Sequence, residues 1–242
     1  MKKKVLMIVT SHKSLGATGK QTGLYLSELA HPYEVLEEAD CEITLASPKG
    51  GVAPIDPESL CTEFERFAIL ATNTKALYTM RAENFDAFVI VGGHGTMWDL
   101  AFNSDINRIL PRAFSLGKII AAVCHGPIAL TQLKLPDGSY MLKNKKVTGF
   151  TNEEEFALGL TKVVPFLLEA ELIKAGAIYS KKPNWAAHVV VDGNLVTGQN
   201  PASAKWVGEA VVSLLNTATQ KIRAYRLHGT PVTIQATRAN KA

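Results

Sequence analysis

Residues 121–127, Ala-Ala-Val-Cys-His-Gly-Pro, carry the residue types best suited to chemistry in this chain. Cys124 follows an apolar run that is typical of a buried strand, and Pro127 suits the first turn of a helix. A nucleophile on such a strand-to-helix turn forms a nucleophile elbow, here with sulfur in place of the usual serine oxygen. Because a helix N-terminus favours negative charge, we expect the pKa of Cys124 to lie below its usual value. The alternative is a buried, inert cysteine.

A second segment, Gly-Gly-His-Gly at residues 92–95, follows another apolar run. Glycine lets the backbone approach a ligand closely. The N–H groups of Gly93 and of the elbow at Gly126 are therefore candidate donors to an oxyanion, with His94 beside the substrate. A tight turn without a function is the alternative, and the nearby cysteine favours the functional interpretation.

Acidic residues in two places could move or hold protons. Glu28 lies between apolar residues in a helical pattern, so it is either a surface charge or a buried proton shuttle. The spacing alone favours the surface. His125 needs a third group to orient it as a base. The acids at residues 153–155 could do so, although acids are also common at a helix N-terminus.

The composition bounds the class of protein. A chain of 242 residues fits one large α/β domain. Three cysteines without paired spacing argue for a reducing compartment. The first apolar run is too short for a signal peptide, and no run approaches the roughly 20 residues that span a bilayer. We expect a cytoplasmic protein that binds neither membrane nor nucleic acid.

The formal net charge of +4 comes from the last part of the chain. Residues 217–242 contain five basic residues and no acid, and without those five the charge would be −1. We divide the chain into a domain at residues 1–216 and a basic, weakly structured C-terminal extension at residues 217–242. A solvated or subunit-bridging extension is a better interpretation than a nucleic-acid arm, since no aromatic pattern suits base stacking.

Alternating strand and helix patterns predict a flavodoxin-like α/β fold: a doubly wound, mostly parallel sheet with helices on both faces. The predicted strands are residues 4–9, 42–46, 87–91, 119–123 and 146–148, with a late hairpin at 188–191 and 195–197. The predicted helices are residues 23–30, 105–116, 127–133, 164–175 and 203–215, with Ser104 as a cap and Gly117 as a stop. In such sheets, sites form at the carboxyl ends of strands. Three segments with candidate residues follow predicted strands: residues 10–28, 92–95 and 124–126.

Together these residues resemble the ThiJ/PfpI superfamily, within the class I glutamine amidotransferase-like fold. The resemblance runs from about Val5 to Leu215. Its carriers are Glu28 with His31-Pro32, the segments 92–95 and 122–127, Thr-Gly-Phe-Thr-Asn-Glu-Glu-Glu at 148–155, and Leu-Val-Thr-Gly-Gln-Asn-Pro at 195–201. The first and fourth of these are similar to one branch, the glutathione-independent glyoxalases. That branch is also called glyoxalase III or D-lactate dehydratase, and includes stress-induced, chaperone-like members.

The resemblance implies a role for each matching residue. It makes Cys124 the nucleophile, His125 its partner, Glu28 the acid on the first helix and Glu155 the third member of the triad. Some relatives bind a metal through two histidines and a glutamate. The matching positions here are Glu37, Glu42 and His94, so one histidine is replaced, and we expect neither a metal nor another cofactor. Downstream His188 lacks the His-x-Glu pattern of amidotransferases, which argues against amidotransfer.

The expected activity is conversion of methylglyoxal or a related 2-oxoaldehyde to a 2-hydroxy acid through a cysteine hemithioacetal. The expected partners are this small molecule and a second copy of the chain. Two other classes stay open. One is a cysteine peptidase or amidase, and the other is a stress-response chaperone or redox-sensing protein in which the cysteine is oxidised.

Overall fold

The computed structural model describes the backbone of residues 2–228 and the side chains of residues 2–217. Within these bounds the strands are β1 (Lys4–Ile8), β2 (Glu42–Ser47), β3 (Lys75–Ala76), β4 (Ala87–Ile90), β5 (Ile119–Val123), β6 (Lys146–Val147), β7 (Ile178–Tyr179), β8 (Val189–Asp192) and β9 (Leu195–Gly198). The α-helices are α1 (Leu26–Glu38), α2 (Glu65–Leu70), α3 (Thr96–Asp99), α4 (Ser104–Ser115), α5 (Asn152–Ala157), α6 (Leu168–Lys174) and α7 (Ala204–His228). Short 3-10 helices lie at Pro57–Ser59, Thr62–Phe64, Leu77–Thr79, Ala82–Asn84, Gly126–Leu130 and Pro201–Ser203.

The main sheet has the strand order β3-β2-β1-β4-β5-β9-β8. Its pairs are parallel except β8 with β9, which form an antiparallel hairpin. The chain winds outwards from β1 through β2 to β3, then returns to β4 on the other side of β1. The order therefore reverses between β1 and β4, and ligands bind at such a switch point, outside the carboxyl ends of the strands.

The helices cover both faces of this sheet. α1 connects β1 to β2 and α4 connects β4 to β5, and these crossovers run in opposite directions along the sheet. Right-handed crossovers then place α1 and α4 on opposite faces. α7 packs against α1. A Cβ atom on Gly208 would lie 2.9 Å from the Cα of Pro32, so this glycine permits the close contact of the two helices.

The central strands are apolar along their whole length because both of their faces are covered. Every residue of β4 and β5 is buried. The inner strands thus give the rigid base from which the loops of the candidate site project.

The doubly wound fold predicted from the sequence is confirmed. β5 and the hairpin β8–β9 lie where the pattern predicted them. Four helices differ, and one of them is α7, which continues to His228 instead of ending at residue 215. α1 begins at Leu26 rather than at residue 23, because Leu24 is held in extended backbone by Pro54 and Ile55. The predicted helix at 127–133 is the 3-10 helix Gly126–Leu130, and that at 164–175 is reduced to α6.

Two smaller predictions are corrected and one is confirmed. The cap of α4 is Asn103, whose side chain accepts hydrogen bonds from the N–H groups of Asp105 and Ile106, rather than Ser104. The strand predicted at 146–148 forms a separate two-stranded parallel sheet with β7. Gly117 does follow α4, with a φ of 69° that favours glycine.

The boundary proposed after residue 216 falls inside α7. This helix continues to His228, so the first part of the proposed extension is helical backbone. The rest of the extension lies outside the described residues. No helix in the described part of the chain is both long and apolar enough to cross a membrane.

Candidate active site

Cys124 occupies a strained position directly after β5. Its φ is 57°, in the left-handed region that costs a non-glycine residue about 1–2 kcal/mol. Two backbone hydrogen bonds of 2.9 Å hold it there: its N–H donates to the carbonyl of Gly198, and its carbonyl accepts from the N–H of Phe150. Such strain persists where the surroundings over-determine it, as they do at functional sites.

The glycines around this turn permit close approach of neighbouring backbone. A Cβ atom on Gly92 would lie 2.3 Å from Oε2 of Glu28 and 2.9 Å from the Cβ of Cys124. A Cβ atom on Gly126 would lie 2.6 Å from the carbonyl oxygen of Ile90. Gly126, predicted as an oxyanion donor, packs against β4 and is not among the residues that line the cavity.

His125 points toward the cysteine that precedes it. Its Nδ1 lies 3.2 Å from the Sγ of Cys124, and its Nε2 lies 2.9 Å from Oε2 of Glu155. The carboxylate can only accept here, so the proton of neutral His125 sits on Nε2 and Nδ1 is free to accept from the thiol. His94 completes the cluster, with its Nε2 3.0 Å from Oε1 of Glu155.

The three neighbouring acids of the sequence have three different surroundings. Glu153 is exposed and pairs with Lys181. Glu154 is fully buried and forms a capping box with Thr151. Glu155 is the acid beside His125. Helical geometry separates them, because consecutive residues on a helix project in different directions.

The charges of this triad follow from its burial and its contacts. Burial lowers the pKa of His125, and the nearby His94 lowers it further. Burial alone would raise the pKa of Glu155, but its contacts with His125 and His94 outweigh that effect and lower it to about 2. A neutral imidazole held by an ionised carboxylate is therefore the resting state at neutral pH, which suits a general base.

Glu28 is fully buried on α1, beside the thiol of Cys124 and the N–H of Gly92. Neither of its carboxyl oxygens makes a hydrogen bond of regular geometry with another described residue. Burial raises its pKa to about 8, although the thiol and the N–H lower it somewhat. The surface position favoured by the spacing is wrong, since α1 turns this residue inward against β4 and β5.

The lowered thiol pKa expected from the sequence is also corrected. Burial raises the pKa of Cys124 well above its usual value, and the neighbouring carboxylate of Glu28 raises it further. The N–H of Gly93 acts in the opposite direction. The expectation assumed a full helix after the cysteine, whereas the structure has a 3-10 helix of five residues with a weaker dipole.

A cavity of about 690 Å³ adjoins the thiol. Its wall is partly apolar and partly polar, and both Gly93 and His94 belong to it. The remaining lining residues are Leu15, Lys20, Gln21, Tyr25, Asp56, Pro57, Glu58, Cys124, His125, Phe150, Leu158, Leu160, Trp185, Asn200, Pro201 and Ala202. This volume falls in the usual range of small-molecule sites, about 300–1,000 Å³.

The structure does not bring Glu37 and Glu42 to His94. Glu42 begins β2 at the amino edge of the sheet, and Glu37 near the end of α1 pairs with Arg66. His94 follows β4 at the opposite, carboxyl edge. The donor atoms that could hold a metal ion are instead those of His94, His125 and Glu155, which lie within 4.8 Å of one another.

Two residues of the site, Trp185 and Asn200, were not singled out as functional from the sequence. Trp185 and Asn200 line the cavity, and Glu154 connects the loops that carry them. Asn200 lies in a segment that carried the family resemblance. No periodic pattern or motif marks Trp185, so the sequence holds no signal that could have found it.

The doubly wound sheet carries a strained cysteine, an adjacent histidine and a supporting glutamate, so the chain is an α/β protein with a candidate site centred on a cysteine. The chain belongs to the DJ-1/PfpI family, whose sequence profile matches residues 21–214. It is 32% identical over 230 residues to glyoxalase 3 of Candida albicans, covering 87% of this chain and 97% of that protein. It is 30% identical over 224 residues to the glutathione-independent glyoxalase HSP31 of Saccharomyces cerevisiae, covering 84% and 93%.

Two solved structures are similar to most of the chain. Glyoxalase III from Candida albicans superimposes with a TM-score of 0.81 at 31% identity, covering 88% of this chain and 97% of that chain. Rapid Encystment Protein 24 KDa of Francisella tularensis superimposes with a TM-score of 0.84 at 38% identity, covering 88% and 99%.

Proposed function

We propose that this chain is a glutathione-independent glyoxalase of the D-lactate dehydratase type, a lyase. It converts methylglyoxal or a related 2-oxoaldehyde to the 2-hydroxy acid, D-lactate in the case of methylglyoxal. The observation that carries the proposal is the fully buried carboxyl of Glu28 beside the Cys124 thiol, with a pKa of about 8. The similarity to relatives named as glyoxalases supports the same reaction.

The first step joins cysteine and aldehyde. His125 accepts the thiol proton of Cys124 through Nδ1, and the sulfur adds to the aldehyde carbon. The oxygen that becomes negative is stabilised by the N–H of Gly93, and it takes the proton held by His125 to give a hemithioacetal.

The second step moves hydrogen between two carbon atoms. Glu28 removes the proton from the former aldehyde carbon and returns it to the neighbouring carbon, which was the ketone. The hydroxyl of the hemithioacetal gives its proton to His125, so the former aldehyde carbon becomes the carbonyl of a thioester. The ketone oxygen takes that proton from His125, so the ketone becomes an alcohol. A pKa near 8 suits this task, because a shuttle must both accept and donate at neutral pH.

The last step releases the product. His125 activates a water molecule, which attacks the thioester carbonyl, and the Cys124 sulfur leaves and regains its proton. One water molecule is consumed, and no electrons enter or leave the system. None of the steps uses glutathione, a nucleotide or a metal.

A peptidase or amidase of the same family would need Cys124, His125 and Glu155 for acyl transfer, and these residues are correctly arranged for it. Acyl transfer by such an enzyme does not require a proton shuttle at Glu28. This residue therefore separates the two proposals.

The homodimer, the cytoplasmic location and a chaperone role stay predictions.

The test is formation of D-lactate from methylglyoxal without glutathione. We expect turnover in the wild type, its loss in Cys124→Ala, and a decrease of about 10²–10⁴-fold in Glu28→Gln. Cys61→Ala is the matched control, since Cys61 is exposed and does not line the cavity. Absence of lactate from the wild type, or full turnover in Glu28→Gln, would overturn the proposal.

A further inference from the structure

The cavity is much larger than the proposed substrate needs. Methylglyoxal carries a single methyl substituent and fills a small part of about 690 Å³. Two of its lining residues, Phe150 and Trp185, form what we call the aromatic wall. Leu158 and Leu160 also line the cavity. Charged residues such as Lys20, Asp56 and Glu58 also line the cavity.

The aromatic wall begins at the reacting groups. The ring of Phe150 lies 4.4 Å from the ring of His125, and the ring of Trp185 lies 6.0 Å from that of Phe150. Phe150 is almost completely buried, whereas Trp185 is 48% exposed. A substituent that extends from a carbonyl group at Cys124 along Phe150 would therefore meet Trp185 and cover its exposed face.

Trp185 is held in place against its own conformational preference. Its φ is 65°, which is rare for a bulky residue and costs about 1–3 kcal/mol. The backbone N–H of Trp185 donates to Oε1 of Glu154 at 2.9 Å. Asn200 holds Ala186, the residue after Trp185. Its Nδ2 donates both to Glu154 at 2.8 Å and to the carbonyl of Ala186 at 2.9 Å.

Glu154 is the centre of this arrangement. Its Oε1 accepts from Trp185, Asn200 and Gln199, and its Oε2 accepts from the N–H of Thr151. No described cation pairs with this buried carboxyl group, which is held in place by these hydrogen bonds. The same helix carries Glu155, which ties the position of the Trp185 turn to that of the catalytic histidine.

We infer that Trp185, positioned by Glu154, forms a substrate subsite that selects 2-oxoaldehydes with a large apolar substituent, of aryl size, over methylglyoxal. This inference rests on the proposed function for its reaction. Aromatic side chains contribute large apolar areas and favourable ring contacts, so a tryptophan held at this wall suits an aryl substituent. Glu154 acts as a positioning residue and does not touch the substrate.

The first experiment compares two substrates in three proteins. The ratio of kcat/KM for phenylglyoxal to that for methylglyoxal is measured in the wild type, Trp185→Ala and Trp206→Ala. Trp206 is the matched control, because it is 50% exposed on α7 and does not line the cavity. We expect a wild-type ratio above one that decreases about 10-fold or more in Trp185→Ala, mainly through KM, and is unchanged in Trp206→Ala. A wild-type ratio below one, or an equal loss for both substrates in Trp185→Ala, would overturn the subsite.

The second experiment does not depend on turnover. Calorimetric titration of the same proteins with mandelate and lactate compares an aryl with a methyl 2-hydroxy acid. Tighter binding of mandelate that is lost in Trp185→Ala supports the subsite even where no aldehyde is converted, and in that case the proposed function fails alone. Turnover of methylglyoxal without preference for the aryl compounds supports the function and rejects the subsite.

A third variant tests the role of Glu154. Glu154→Gln keeps the volume but replaces an acceptor oxygen with a donor group, so at least one N–H of the cluster loses its partner. We expect it to lower the phenylglyoxal to methylglyoxal ratio as Trp185→Ala does, and the double variant to lose little more than Trp185→Ala alone. Fully additive effects, or an unchanged ratio in Glu154→Gln, would show that Glu154 does not act through Trp185.

Discussion

The carboxyl of Glu28 and the thiol of Cys124 meet inside the protein, although they come from α1 and from the end of β5. A Cβ atom on Gly92 would clash with Oε2 of Glu28 and crowd the Cβ of Cys124, so this glycine lets the two side chains approach. Burial raises the pKa of both groups, and the carboxylate of Glu28 raises that of the thiol further. Ionisation of both buried acids would place two negative charges in contact and cost much free energy. The pair therefore holds at least one proton at neutral pH.

This buried pair makes stability depend on pH. The pKa of Glu28 is about 8 in the folded protein and has its ordinary value of 4.5 in the unfolded chain, so the folded state binds more protons between these values. The free energy of unfolding therefore decreases as the pH rises through this window, by up to about 5 kcal/mol. Glu28→Gln removes this contribution.

Urea denaturation at about pH 6 and about pH 9 measures the effect. We expect Glu28→Gln to gain stability relative to the wild type at the higher pH. Glu153→Gln, which alters an exposed acid, should keep the wild-type difference. A wild type and a Glu28→Gln variant with the same pH dependence would contradict the raised pKa of Glu28.

The triad gives a second prediction. Glu155→Gln places an amide where His125 needs an acceptor, and an amide N–H can force the proton of the imidazole onto Nδ1. His125 then cannot accept from Cys124, and kcat should decrease by about 10²–10⁴-fold.

The control for Glu155→Gln is the same substitution at a nearby exposed acid, Glu153. Glu153→Gln should leave kcat within about twofold, since surface changes rarely exceed 0.5 kcal/mol. Methylglyoxal turnover and thermal denaturation of both variants check the result. Comparable losses in the two variants would mean that the acidic cluster acts by general charge rather than through one hydrogen bond.

The position of the elbow could be predicted from the sequence, because the residues that indicate it are neighbours in the chain. A continuous apolar run predicts a fully buried strand, and Pro127 predicts the turn that follows. The hairpin β8–β9 was equally local, since Gly193 supplies the positive φ that its tight turn needs. These features depend on neighbouring residues and not on the packing of distant ones.

Burial of single polar residues could not be predicted in this way. Glu28 is interior because β4 and β5 approach α1 closely at Gly92, a contact between segments more than 60 positions apart. The pKa of Cys124 depends on the same contact. Trp185 enters the cavity through its hydrogen bond to Glu154, 31 positions earlier in the chain, and no periodicity encodes this.

The close approach at Gly126 gives a third prediction. A methyl group there would lie 2.6 Å from the carbonyl oxygen of Ile90, and neither backbone segment can move freely because both are buried. Gly126→Ala should therefore cost roughly 3 kcal/mol or more of folding stability, as strained core substitutions do.

Gly193→Ala serves as the comparison. A Cβ atom there meets nothing within 4 Å, and only its φ of 62° opposes the change, at a cost of about 1 kcal/mol. Denaturant titration of both variants gives the two values. A Gly126→Ala variant as stable as Gly193→Ala would show that the turn after Cys124 has room to adjust.

The last prediction concerns the pH dependence of catalysis. His94 is one of the groups that lower the pKa of His125 below its ordinary 6.5, because a positive charge on one imidazole disfavours a positive charge on the other. His94→Gln removes that imidazole while keeping a side chain able to donate to Glu155. The pKa of His125 should then rise. The lower part of the acid limb of the kcat/KM profile for methylglyoxal, below the ionisation of Glu28 at about 8, should therefore move to higher pH. The position of the limb, rather than the size of kcat, is the measurement, since His94 also lines the cavity. A limb that stays in place or moves to lower pH would mean that His125 is not the base whose ionisation limits the reaction.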